Sequence, residues 1–234
     1  MSSDRSQLLR KIRQSLKLAL LPSARASLPP PLPAQETDSA RLAAAFIREL
    51  GVVGAQVKYP ATPSHAIETI LDLMRAAISL DANSREAPGI ICWHDSEFPL
   101  PDLGSAVRAA GFVPIDTKIP GDRELRRARL QELEHAAIGL TGALAGLADS
   151  GALALLSGPT RPRLASLLPP THIAVVSKSA IYPTMATFLA AHPNITHEAS
   201  NLVFITGPSR TADIEQTLTL GVHGPRELFV VLVD

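Results

Sequence analysis

The sequence predicts an α/β domain built on a mixed sheet with helices on both faces. Three observations carry that expectation. Short apolar runs alternate with amphipathic helical stretches along most of the chain, the pattern of strands joined by helices. After Ala136 strand candidates follow one another without an intervening helix, which departs from pure alternation and points to a mixed sheet. The chain has 234 residues, 46% hydrophobic and 19% charged, enough apolar mass for a large core and too much for a disordered chain.

Each element has its own signal. Residues 1–21 read as an amphipathic helix, because Leu8, Ile12, Leu16 and Leu20 recur every four residues. The start is basic, with Arg5, Arg10, Lys11, Arg13, Lys17 and Arg25 against Asp4, so this helix packs on protein or docks on a partner or membrane surface. Residues 22–36 form a Pro-rich linker, since Pro29-Pro30-Pro31 cannot continue a helix and favours an extended path. The main domain, 37–234, opens with Thr37 or Asp38 capping a helix over Ala40–Leu50 that Gly51 ends. A short strand follows near Ala55–Tyr59. Pro63–Leu80 is helical on the spacing of Ile67, Ile70, Leu71, Met74 and Ile78. Gly89–Trp93 is a compact apolar run and hence a buried strand. Leu103–Ala110 reads as a helix, Phe112–Ile115 as a strand and Arg123–Gln131 as a charged helix. Ala136–Leu140, Ala152–Leu156 and His172–Ser177 read as strands. The last stretch gives a helix at Thr184–Ala191, a strand at Asn201–Thr206, a helix at Thr211–Leu220 and a final strand at Leu228–Val233.

Composition narrows the function classes. Lys plus Arg and Asp plus Glu each number 22, so the formal charge is zero and nucleic acid is a disfavoured partner. The single cysteine, Cys92, cannot close an internal disulfide, and alone it holds neither an iron–sulfur cluster nor a thiolate zinc site. A reduced, cytoplasmic setting is expected. The most apolar stretch, Ala136–Ser157, is interrupted by Asp149 and several glycines, so no membrane span is expected. His192 and His197 lack partners at metal-ligand spacing, and no metal site is expected. Cys92 and His94 share a strand face, where a buried cysteine beside a strand-end histidine is the plainer reading.

Three segments can carry chemistry. The first is Thr206-Gly207-Pro208-Ser209-Arg210-Thr211, where an apolar strand is expected to turn directly into a helix. Helix N-termini beyond strand ends attract anions, and this turn adds hydroxyls, a close backbone approach at Gly207 and the Arg210 guanidinium. The same residues also serve as a helix cap with Arg210 in solvent; both readings stand. Arg161 and Arg163, flanking Pro162, add positive potential there or are solvated. The second is Gly221-Val222-His223-Gly224-Pro225, where His223 in a tight turn is a candidate proton donor or ligand group, and Gly224 allows close approach. The third is Asp149, a carboxylate in an apolar, Gly-rich segment, and a candidate base, nucleophile or ligand contact, or else a turn residue. No hydrolase serine elbow, dinucleotide fingerprint or Walker loop is present.

Ala136–Ser157, Arg163–Val176 and above all Thr206–Glu215 and Gly221–Pro225 resemble the LUD-domain family, in its lactate-utilisation (YkgG-like) branch. The resemblance covers about Thr37 to Asp234. It implies a fold like the NagB/RpiA/CoA-transferase group and a place in a three-component system that oxidises L-lactate to pyruvate. It further implies that iron–sulfur clusters sit in partner subunits and none in this chain, so that this chain is the cluster-free member. Asp149-Ser150-Gly151 stands where the family commonly has Glu-Thr-Gly and where CoA-transferase relatives place a nucleophilic glutamate. The shorter side chain favours a ligand-orienting role for Asp149 over a covalent one.

The leading expectation is therefore a non-redox subunit that binds a small carboxylate or phosphate at Thr206–Thr211 and Gly224, with Asp149 and His223 as catalytic candidates. Two alternatives stay open. One is a stand-alone enzyme of the CoA-transferase or sugar-phosphate-isomerase type. The other is a scaffold whose basic N-terminal helix docks on iron–sulfur subunits, with room for a homo-oligomer.

Overall fold

A computed structural model describes residues 2–18, 37–79, 89–212, 218–221 and 223–234. The chain divides into two units, Met1–Ala34 and Gln35–Asp234. The first contains α1 (Ser2–Leu18), whose Leu8, Leu9 and Ile12 are exposed. The Pro-rich linker at 22–36 lies outside the described residues.

The second unit runs α2 (Ser39–Val52), β1 (Gln56–Lys58), α3 (Pro63–Ser79), β2 (Gly89–Cys92), α4 (Leu103–Ala109), α5 (Arg123–Glu134) and β3 (Ala136–Gly142). It continues with β4 (Ala145–Leu147), β5 (Ala152–Ser157), β6 (Thr171–Ser177), β7 (Ile181–Tyr182), α6 (Met185–Ala191) and α7 (Ile195–Glu198). It closes with β8 (Asn201–Ile205), β9 (Arg210–Ala212), β10 (Leu218–Leu220) and β11 (Glu227–Val233).

The strands form two principal sheets. The first has the order β1-β11-β6-β3-β2, and all its pairs are parallel. Every residue of β3 is buried, as expected of a parallel strand covered on both faces. The second has the order β7-β4-β5-β8, with β4 parallel to β7 and the other pairs antiparallel. The chain passes from the first sheet to the second within Ala143–Leu144, between β3 and β4.

Local chemistry sets the helix ends. Asp38 caps α2, its Oδ1 accepting from the amides of Ala40 and Arg41. Asp122 caps α5 in the same way. The main core joins Phe46, Leu50, Ile70 and Met74 of the helices to the apolar faces of β2, β3, β6 and β11. A smaller core lies in the second sheet around Ala145, Leu147, Phe188 and Ile195. There Phe188 stacks edge-on with Tyr182 and Phe204, and the Tyr182 hydroxyl meets His192 Nε2 at 3.0 Å. His192 is thereby part of a packed aromatic cluster.

Two expected elements differ. Phe112–Ile115 is not a strand: Pro114 lacks an amide proton, and only an isolated bridge to Ile90 forms. The described ends of the expected helix Thr211–Leu220 are strands. Arg210–Ala212 and Leu218–Leu220 pair as an antiparallel ribbon, with Thr211 opposite Thr219, while 213–217 lie outside the described residues.

Candidate functional site

Because β2 pairs with β3 and β3 with β6, all parallel, their carboxyl ends lie side by side. Ligands of parallel sheets settle beyond these ends. A cavity of about 240 Å³ opens there. Its walls come from Trp93 after β2, the turn Ser96–Pro99, Ala143 and Leu144 after β3, Leu156 and Arg161, and Ser177 and Ala180 at the end of β6.

The sequence builds this wall locally. The Trp93 amide donates to the Leu140 carbonyl at 3.1 Å and extends the β2–β3 ladder by one residue. His94 then caps the 3-10 turn Asp95–Glu97, its Nδ1 accepting from the Ser96 amide. The His94 amide donates to the Thr160 carbonyl at 2.9 Å, which ties the loop after β5 to the loop after β2. At the end of β3, Gly142 leaves room for the Glu97 main chain, whose carbonyl oxygen a Cβ at 142 would strike.

The polar groups of the wall are unequally satisfied. The Thr160 hydroxyl donates to Glu97 Oε1 at 2.6 Å. Arg161 Nε lies 3.5 Å from Glu97 Oε2, close enough for ion pairing. That Nε is nonetheless buried without a hydrogen-bond partner, so attraction here is coulombic, without aligned donation. The Arg161 Nη groups make no hydrogen bond to any described residue. Trp93 is 6% exposed, and its indole N–H is buried and unpartnered. An orphaned buried donor costs about 1–3 kcal/mol, so two of them on residues lining one cavity mark a place for an acceptor.

The residues singled out from sequence lie elsewhere. Gly207 has φ 114°, a left-handed conformation, and packs against Val53 at the end of α2. The Ser209 amide donates to the Pro225 carbonyl at 2.8 Å, and its carbonyl accepts from the Gly221 amide at 2.9 Å. Arg210 Nη2 donates to the Val53 carbonyl at 2.7 Å. Gly224 sits against the Ser209 side chain, and Pro208 near Gly54. Thr206 is exposed after β8, and His223 is exposed beside Gly224. The fold thus brings Gly207, Ser209, Arg210 and Gly224 together, but the Ser209 amide and the Arg210 side chain are taken by protein carbonyls. The helix dipole expected there is replaced by the start of β9. Asp149 is exposed in the β4–β5 turn, where its Oδ1 accepts from the Ser150 hydroxyl at 3.0 Å. Among the described residues no hydrogen bond or ion pair joins Asp149 to His223.

The model of the LUD domain matches residues 43–233, nearly the whole second unit. The chain belongs to the LUD-domain family. It is 40% identical over 152 residues to "Lactate utilization protein C" of a Geobacillus species, covering 62% of this chain and 62% of that protein. It is 34% identical over 179 residues to the protein of the same name from Halalkalibacterium halodurans, covering 71% and 72%. A third such protein, from Macrococcus caseolyticus, is 33% identical over 173 residues, covering 72% and 71%. The match thus spans less than two thirds of the Geobacillus relative's length. A solved structure of a DUF162 family protein from Deinococcus radiodurans shares the fold, with TM-score 0.57 and 19% identity over 85% of this chain and 100% of that one.

Within this LUD domain, Cys92 borders a second, neighbouring cavity with His94, Asp95 and Arg108. Burial pushes its thiol up to about 12, and the Asp95 carboxylate adds to the shift. Cys92 is therefore a protonated wall residue and not a nucleophile. The Arg108 guanidinium holds the Asp95 carboxyl below the usual carboxylate range, so that charge too is committed to an internal pair. Among the described residues no group of three His, Cys, Asp or Glu is placed to hold a metal ion, and no helix is long and apolar enough to cross a membrane. Sequence reading names Arg161 only as a source of positive potential and passes over Trp93, Glu97 and Thr160. A signal for the first two exists in the aromatic and polar string Trp93-His94-Asp95-Ser96-Glu97, which follows directly on a buried strand.

Proposed function

We propose that this chain is the cluster-free component of a cytoplasmic lactate-utilisation system and that it binds a small anionic metabolite in the cavity at Arg161. Partner subunits carry the iron–sulfur clusters and the electrons. The names of the relatives support the first part, and the single cysteine, unable to hold a cluster alone, is consistent with it. The second part is carried by one observation: a guanidinium whose Nη edge has no hydrogen-bond partner among the described residues, set at the carboxyl ends of three parallel strands. That edge matches a carboxylate fork-to-fork. The Gly207–Thr211 turn is a weaker host, since Arg210 and the Ser209 amide already have protein partners.

The cavity's size bears on the alternative enzymes. About 240 Å³ takes a small organic acid but does not enclose an acyl-CoA. Asp149, the candidate nucleophile of that reading, does not line this cavity.

Calorimetry with lactate, pyruvate and phosphate tests the proposal. Wild-type protein should bind at least one of the carboxylates, and Arg161→Ala should weaken it about tenfold or more. No binding of any of the three, or equal binding by the variant, would overturn it.

A further inference from the structure

The cavity at Arg161 holds a second charged group whose chemistry differs from that of a general anion trap. Glu97 faces the same space, and its carboxylate can only accept hydrogen bonds. One of its oxygens takes the Thr160 hydroxyl at 2.6 Å. The other stands 3.5 Å from Arg161 Nε and has acceptor capacity left. The guanidinium is thus approached by Glu97 along its Nε edge and left open along its Nη edge. The open edge and the carboxylate line one cavity of about 240 Å³, so a small ligand paired with the guanidinium shares that space with a free acceptor.

We infer that Glu97 is a specificity-determining residue: it makes the cavity select a monocarboxylate bearing a hydroxyl on the adjacent carbon over the corresponding 2-oxo acid and over phosphate. The inference rests on the reading of the Arg161 cavity as the anion site. A 2-hydroxyl donates its proton to Glu97, whereas a 2-oxo oxygen is itself an acceptor and meets the carboxylate lone pair to lone pair. Charge acts in the same direction against phosphate. Arg161 and Glu97 together are neutral, so a monocarboxylate brings one uncompensated negative charge into the cavity and a phosphate dianion brings two. The unpartnered indole N–H of Trp93 offers a further donor at the same wall. Selection by a buried polar partner is the strong kind of discrimination, because the wrong ligand leaves the partner unpaired.

Trp93 is the only tryptophan of the chain and lines both this cavity and the neighbouring one beside Cys92, so its fluorescence responds to a ligand in either and the loss of the response in Arg161→Ala assigns it to this one. Titrations with L-lactate, pyruvate and inorganic phosphate, checked by calorimetry, are expected to show lactate bound about tenfold tighter than pyruvate, with phosphate weaker still. In Glu97→Gln the lactate-to-pyruvate ratio should fall towards one, and in Glu97→Asp a preference for lactate should persist. Equal affinity of the wild-type protein for lactate and pyruvate overturns the inference without any variant, as does an unchanged ratio in a folded Glu97→Gln protein. Both of those outcomes leave the Arg161 site intact. If no carboxylate binds and Trp93 fluorescence does not respond, the site itself is wrong and the inference falls with it.

Discussion

Arg161 lies in the loop after β5 and Arg210 opens β9, and the fold treats the two in opposite ways. Arg210 reaches back to the Val53 carbonyl, at the C-terminal end of α2, and so closes a helix end. The amides around it pair with Pro225 and across the β9–β10 ribbon. Arg161 instead meets a side-on carboxylate, and among the described residues its Nη edge has no hydrogen-bond partner. The difference shows that an arginine in a glycine-rich turn is no sign of a ligand by itself. What distinguishes a site is charge that the surrounding fold leaves unanswered, next to strand ends that cannot close over it.

The largest expected effect concerns the sheet on which the Arg161 cavity rests. His172 on β6 is 1% exposed, and its Nε2 lies 2.9 Å from Thr141 Oγ1 on β3. Burial lowers its pKa from 6.5 to about 4, so the folded chain keeps it neutral. Below pH 6.5 the unfolded chain takes up a proton that the folded chain refuses. Stability should therefore fall as pH drops from 6.5 towards 4 and level off below, a loss of about 3 kcal/mol from this group. Denaturant unfolding at pH 7 and pH 4.5 would measure it, and His172→Gln should lose much less between the two. An equal loss in wild type and variant would show that this histidine does not anchor the sheet.

A smaller pair of effects sharpens the contrast between the arginines directly. Arg161→Ala should cost about 1.5–3 kcal/mol of carboxylate binding and little stability. Arg210→Ala should do the reverse, lowering stability by about 1 kcal/mol, since its hydrogen bond is exposed, and leaving binding unchanged. Thermal unfolding and calorimetry on the two variants decide. Loss of binding in Arg210→Ala would move the anion site to the ribbon.

How far the sequence reveals these regions follows from the range of the interactions. The Asp38 cap, the α3 stripe and the apolar runs of β3, β5 and β6 are local patterns, and each is legible. The ribbon is not. Helical spacing over Thr211–Leu220 competes with a pairing held by the Gly221 amide on the Ser209 carbonyl, a contact that periodicity does not encode. The three residues of β4, Ala145-Gly146-Leu147, lack β-branched side chains and give no strand signal, yet pair on both edges. The cavity is the least legible part. Thr160 and Glu97 are 63 residues apart, and the strand order alone makes them neighbours. Arg161 is noticed from its charge, whereas Glu97 is marked only by its place in the polar string that follows a buried strand, and Thr160 by nothing local.

The smallest effect tests whether this acquired proximity matters. Thr160→Val keeps the shape of the side chain and removes the hydroxyl that fixes Glu97. Glu97 then loses one restraint, and with it the pairing that orients the guanidinium edge. Carboxylate affinity should fall about three- to fivefold, while unfolding free energy changes by less than about 1 kcal/mol. Ser150→Ala removes a hydroxyl–carboxylate bond of the same kind, 3.0 Å long against 2.6 Å, from Asp149 in an exposed turn. If the Arg161 region is a site and the Asp149 turn is structure, only the first substitution moves the binding curve. Equal shifts in both, or in neither, would erase the distinction between a carboxylate held to serve a neighbouring cation and one held only by its own turn.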